Sequence, residues 1–257
     1  MKKGTTIISV ILIIALIGVI AYLIIDDSRE RTQEVVNSAE TSAVFNTTSL
    51  PDMSEPEETT KPLPEPVRDE LLTLVNYENP VPDDWEVDLV TVSGDVKIDK
   101  RAYDALNDML ADAKNAGANP YVRNAYRSKE LQQYLYDRKI RELRSSGYSE
   151  EAAEEETAKW IAYPGTSEHQ LGLAADIVDS SYQTLDETQE NNETQKWLMK
   201  NCWKYGFILR YPTDKSDITR INYEPWHYRY VGKKNAKLIT DSGLCLEEYL
   251  EKTNGQR

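Results

Sequence analysis

Apolar and polar positions divide the chain into three stretches of different character. From Ile7 to Ile25 nearly every residue is apolar and none is charged, with Lys2 and Lys3 before the run and Asp26-Asp27 after it. A run of that length can cross a bilayer as a helix, whereas the apolar part of a secretory signal is usually shorter. No clear small-x-small cleavage site succeeds it, and no cysteine stands nearby to carry a lipid. An uncleaved anchor over residues 1–27 is therefore expected, with a cleaved signal peptide as the alternative. Lysines ahead of the span keep the N-terminus cytoplasmic and export the rest. Residues 28–69 then lose all hydrophobic periodicity and are rich in Ser, Thr, Glu and Pro. Such a stretch buries too little to offset the entropy of ordering, so a solvated, extended tether is expected.

Periodic patterning begins near Glu70 and defines a folded domain over residues 70–257. Leu71 to Val75 reads as a strand, and Asp88 to Ile98 as a hairpin turning at Ser93-Gly94. Asp99 is placed to cap a helix whose apolar face is Ala102, Leu106, Met109, Leu110 and Ala113, with Gly117 as its stop. A strand over 121–126 leads to Ser128, a cap for a helix expected to bury Leu131, Tyr134 and Leu135 and to end near Gly147. Ser149 caps a further helix, with Glu150 and Glu151 complementing its dipole, and Pro164-Gly165 breaks it. Leu173 to Val178 reads as a central strand, Glu193 to Lys204 as a helix stopped by Gly206, and 207–211 and 226–231 as strands. Two short helices close the chain. Strands and helices mix without regular alternation, which predicts an α+β domain rather than a doubly wound one.

Charge narrows the partners. The chain carries 44 acidic against 30 basic residues, a net charge of −14. It has no basic stripe, which excludes a nucleic-acid backbone as the expected partner. Cys202 and Cys245 are the only cysteines. Outside the cell they could pair, but one bridge is no disulfide framework, and Cys202 beside Trp197 and Leu198 on a helix equally fits a buried thiol.

The chemistry gathers around the only two histidines, His169 and His227. A lone histidine is most often a structural residue, yet both of these lie beside carboxylates. Asp176, seven residues after His169, sits within the apolar run Leu173-Ala174-Ala175-Asp176-Ile177-Val178. Burial there requires a partner, either a metal or a hydrogen-bond donor. Gly172 between them permits a turn that brings the two together. Two histidines and an aspartate are a three-ligand set of the kind that leaves zinc an open position for water. Pro225 disfavours a helix across Glu224-Pro225-Trp226-His227, so a bend is expected, with His227 on the strand and Glu224 at its mouth. From there Glu224 could serve as a general base beside the metal without binding it.

Ser167-x-His169-x-x-Gly172-x-Ala174-x-Asp176 together with Glu224-Pro225-Trp226-His227 resembles the VanY-type D-alanyl-D-alanine carboxypeptidases. These zinc peptidases share a fold with D,D-dipeptidases, L,D-carboxypeptidases and the Hedgehog signalling domain. The resemblance extends from about Leu71 to Leu250 and includes Tyr126-Arg127-Ser128 and Trp226-His227-Tyr228-Arg229-Tyr230-Val231-Gly232. It implies a central, mainly antiparallel sheet flanked by helices. It further implies one Zn2+ held by His169, Asp176 and His227, with Glu224 as catalytic base and Arg127, Gln132 and Ser167 contacting substrate. Arg127 has a physical reason to be there, because a guanidinium fork matches the free terminal carboxylate that a carboxypeptidase must recognise.

The implied substrate is a peptidoglycan stem peptide, met by a monomer tethered outside the membrane, with release of the terminal D-alanine. An L,D-carboxypeptidase acting on tetrapeptide stems uses the same zinc chemistry and the same grip. A non-catalytic wall-binding module would not need Glu224, and an endopeptidase acting on cross-links would not need Arg127.

Overall fold

A computed structural model describes residues 70–254. The anchor expected over residues 1–27, the tether over 28–69 and the last three residues lie outside the described part. Among the described residues no helix is long and apolar enough to cross a membrane.

The expected α+β architecture is present. Strands β1 (Leu89–Ser93) and β2 (Val96–Asp99) form an antiparallel hairpin. Asp99 ends that hairpin and caps helix α1 (Lys100–Asn115), its side chain accepting from the Arg101 N–H. A four-stranded sheet is built from β3 (Pro120–Asn124), β4 (Ala174–Asp179), β5 (Phe207–Leu209) and β6 (His227–Tyr230). Its order is β3-β4-β6-β5 and every pairing is antiparallel. Helices α2 (Lys129–Ser145) and α3 (Glu150–Ala158) are capped by the side chains of Ser128 and Ser149. Helix α4 (Glu193–Asn201) tightens into a 3₁₀ turn that ends at Gly206, in the left-handed region at φ 90°. The short α5 (Ser216–Thr219) precedes β6, and α6 (Lys233–Ser242) and α7 (Leu246–Asn254) finish the domain.

One core lies between α1 and the sheet, where Leu106 and Met109 pack with Val122, Ile177, Phe207 and Tyr228. A second joins the other side of β5 and β6 to α6 and α7 through Ile208, Val231, Ile239 and Tyr249. Each large apolar side chain buried this way contributes about 1.5–3 kcal/mol, so the sheet that carries the site is fixed from both sides.

Two expectations are corrected and one open choice is decided. Leu71 and Leu72 belong to a 3₁₀ turn, Glu70–Leu72, and no strand forms over 71–75. The carbonyls of Leu71 and Thr73 accept instead from the buried Arg229 guanidinium, each at 2.9 Å, so a side chain takes the place of a strand partner. On α2 the inward residues are Gln132 and Tyr136, whereas Leu131 and Tyr134 are 46% and 56% exposed and Leu135 is half-buried. Gln132 faces inward, where both ends of its amide are hydrogen-bonded, and Leu131 and Leu135 line a cleft. Cys202 and Cys245 are both buried free thiols, which decides between the two readings of that pair.

Candidate metal centre

The sheet register builds the centre. Asp176 on β4 is directly opposite His227 on β6 and Asn124 on β3, so three polar side chains meet on neighbouring strands. His169 reaches the same point from a 3₁₀ turn, Glu168–Leu171, that Gly172 ends at φ 71°. A Cβ on Gly172 would stand 3.0 Å from Asp99 Cβ and 3.2 Å from its amide nitrogen. The Asp99 N–H also donates to the Gly172 carbonyl at 2.9 Å, pinning the turn to the end of the hairpin. Any side chain there would be strained at that φ and would crowd Asp99, so glycine favours the turn that carries the chain from His169 to Asp176.

Glu224 to His227 is a four-residue turn, closed by the His227 N–H donating to the Glu224 carbonyl at 3.1 Å. Proline at its second position pre-sets the backbone for such a turn. The expected bend is therefore present, with His227 opening β6 and Glu224 just before it.

One ligand atom each from His169, Asp176 and His227 lies within 4.8 Å of the other two, and all three residues are buried. His169 Nε2 stands 3.3 Å from Asp176 Oδ2, and His227 Nδ1 stands 3.1 Å from Asp176 Oδ1. Donors about 2.0–2.1 Å from a tetrahedral zinc are separated by roughly 3.3 Å, so each histidine nitrogen stands at about that spacing from an Asp176 oxygen, and the three residues are close enough together to share one ion. The ring atoms are sorted by their other contacts. His169 Nδ1 faces the Ala125 carbonyl at 2.6 Å, which leaves Nε2 for the metal. His227 presents Nδ1 instead, while its Nε2 faces Glu168 Oε2 at 3.5 Å.

The electrostatics of the metal-free site are those of a crowded, buried cluster. Burial pulls the His169 pKa below its usual value. Burial acts the same way on His227, but the Asp176 and Glu168 carboxylates outweigh it and raise the pKa to about 9. Against the cost of burial, His169 and His227 hold Asp176 well below the usual carboxylate range. Glu224 is pushed up to about 8 by burial, with Asp176 and Glu168 adding to the effect. Its Oε2 lies 3.6 Å from His227 Nδ1, near the ligand set but outside it. A bound cation would stabilise the Glu224 carboxylate and reverse that shift.

All seven residues singled out from the sequence line one cleft of about 1320 Å³. Arg127 is mostly buried in it, its Nη2 3.7 Å from Asp176 Oδ2, and its Nε has no hydrogen-bond partner. Gln132 uses both ends of its amide, accepting from Arg127 Nη1 at 2.8 Å and donating to the Ala162 carbonyl at 2.6 Å. It therefore holds the guanidinium in place. Ser167 is buried at the cleft wall and makes no capping bond to the turn beside it. Tyr211 packs its ring on His227, with centroids 4.9 Å apart.

Residues to which the sequence reading gave no role also surround the centre. Asn124 donates to Asp176 Oδ2 at 3.3 Å. Glu168, Arg210, Arg229 and Glu247 form a buried charge network behind His227. Glu168 lies inside the histidine motif, but its neighbours Arg210 and Glu247 carry no local signal that marks them as buried.

Residues 95–233, more than half of the chain, match the family VanY, D-alanyl-D-alanine carboxypeptidase. A D-alanyl-D-alanine carboxypeptidase of Enterococcus faecalis is 46% identical over 180 residues, 70% of this chain and 65% of that protein, just under two thirds of its length. A mutant of the vancomycin resistance D,D-pentapeptidase VanY, solved in complex with Zn(II), is 44% identical over 70% of this chain and 98% of its own, with a TM-score of 0.64. The L,D-carboxypeptidase LdcB, whose structure addresses peptidoglycan recognition, is 41% identical over 71% of this chain and 86% of its own, with a TM-score of 0.62.

Proposed function

Because the chain belongs to the VanY family of D-alanyl-D-alanine carboxypeptidases, we propose that it is a zinc carboxypeptidase that removes the terminal D-alanine from peptidoglycan stem peptides. The observation that carries this reading is the placement of Glu224 beside, and outside, a buried His169-Asp176-His227 ligand set in an open cleft. His169 Nε2, Asp176 and His227 Nδ1 would hold one Zn2+. When bound, the ion supplies Lewis acidity to a water nucleophile and to the scissile carbonyl.

The chain's own residues do the rest. Glu224, as a carboxylate, takes the proton from the attacking water and delivers it to the departing amine nitrogen as the peptide bond breaks. Arg127 offers its unpartnered Nε and its Nη2 to the terminal carboxylate of the substrate, while Gln132 keeps the fork from swinging away. Two charge-assisted hydrogen bonds then fix the register so that only the last residue is cut. Ser167 on the cleft wall contacts the same end of the substrate. The Tyr211 ring packed on His227 and the pairing of β6 with β4 and β5 keep His227 in position.

The similarity to LdcB supports a second reading, removal of D-alanine from tetrapeptide stems by the same residues. Location belongs to the proposal as well. The uncharged apolar run Ile7 to Ile25 would anchor a monomer in the cytoplasmic membrane, with residues 28–69 carrying the domain into the wall. Incubating the zinc-loaded chain with pentapeptide and tetrapeptide stems and weighing the products tests the function. Loss of one alanine from the pentapeptide is expected; loss from the tetrapeptide alone would favour the L,D reading.

A further inference from the structure

Behind the ligand set lies a charge cluster that touches neither the cleft nor the ligand atoms facing it. Glu168, Arg210 and Arg229 have fully buried side chains. Glu168 Oε1 accepts from Arg210 Nε at 2.8 Å and from Arg229 Nη1 at 2.7 Å. The rest of Arg210 is engaged by Glu247 on α7, Nη1 to Oε2 at 2.9 Å and Nη2 to Oε1 at 2.6 Å. The rest of Arg229 is used by the backbone carbonyls of Leu71, Thr73 and Tyr230. Two carboxylates and two guanidiniums thus balance in charge, and both arginines are bound through all three nitrogens.

One pair of atoms is left over. Glu168 Oε2 and His227 Nε2 are both buried with no hydrogen-bond partner, and they face each other at 3.5 Å, just beyond hydrogen-bond length. A buried acceptor aimed at a buried ring nitrogen is costly unless a proton lies between them. Once Nδ1 serves as a ligand, the ring's proton must reside on Nε2, where Glu168 is the acceptor. We propose that Glu168 is a positioning residue that fixes the tautomer and ring plane of His227 and is itself held in place by its hydrogen bonds to Arg210 and Arg229. This rests on the zinc reading above and extends it beyond the residues that face the cleft.

The neighbours explain why the amide is a poor substitute. In Glu168→Gln either the arginines or His227 must face an N–H donor, because each side of the residue requires an acceptor. Outer partners of this kind contribute about 10- to 100-fold to metal affinity. Zinc affinity of the full chain, measured by competition with a chromophoric chelator, is expected to fall by that factor in Glu168→Gln, and the visible spectrum of the Co2+ form should change. Glu247→Gln is the control: it breaks the outer pair, should lower the melting temperature, and should leave zinc affinity within about twofold of the parent.

Equal affinity in Glu168→Gln and the parent, or an equal loss in both variants, would overturn the proposal. Should Glu168→Gln fail to fold, the parent decides. Because the chain has only two histidines, nitrogen NMR of the zinc form should show His227 protonated at Nε2 with that proton hydrogen-bonded, and an unprotonated or unbonded Nε2 would refute it. A parent chain that binds no zinc would instead remove the zinc reading itself.

Discussion

Loading the metal-free chain with Zn2+ at neutral pH is expected to expel protons from the site. His227 is raised to about 9 between Asp176 and Glu168, so at pH 7 the metal-free ring is doubly protonated. Its Nδ1 must be bare to act as a ligand. Two pH units of competition weaken apparent affinity about 100-fold, roughly 2.7 kcal/mol. His169, held below its usual value, adds no proton. Glu224 adds a second, because its burial-raised carboxyl near 8 ionises once a cation arrives. The logarithm of zinc affinity should therefore rise with a slope between about one and two from pH 6.5 to 8, and flatten above about 9. Chelator competition across that range measures the slope. Calorimetry at pH 7 in two buffers of different ionisation enthalpy counts the protons. Buffer-independent heats with a flat affinity profile would contradict the electrostatics described for this cluster.

The same geometry sets other outcomes. Arg127→Ala should lower kcat/KM about 10²- to 10⁴-fold on peptides with a free terminal carboxylate, from two charged hydrogen bonds of about 1.5–3 kcal/mol each. It should change little on the amidated peptide, and equal losses on both would remove the carboxylate grip. Gly172→Ala must adopt φ 71° against the Asp99 backbone. It should cost about 1–2 kcal/mol in denaturant unfolding and also weaken zinc binding, because the turn sets His169. For the metal-free chain, the raised pKa values of Glu224 and His227 contribute stability that is full at low pH for each group. That contribution is lost as pH climbs from about 4.5 through 8 for Glu224 and from about 6.5 through 9 for His227. Melting temperature should thus be lower at pH 9 than at pH 6 without metal, and a rise would show the signs to be wrong.

Local chemistry makes much of this fold readable. Asp99, Ser128 and Ser149 cap their helices because a short polar side chain before a periodic run has few other uses. Asp176 signals its site because a carboxylate within Leu173–Val178 needs a partner. The strand expected over 71–75 is absent for the opposite reason: an apolar run cannot reveal that a distant arginine, Arg229, will take its carbonyls. The inward face of α2 is hidden from periodicity because a buried amide, Gln132, faces inward while Leu131 and Leu135 face the cleft. The network behind His227 is invisible in the sequence because Arg210 and Glu247 look like surface charges until the fold brings them together.

The most direct test of the central claim compares Glu224→Gln with the parent, both zinc-loaded, on a stem peptide ending in D-alanyl-D-alanine. The parent should release one D-alanine. The variant should retain zinc at saturating metal but turn over at least about 10³-fold more slowly. Undiminished release by the variant, or none by the parent on either stem length, would contradict the account.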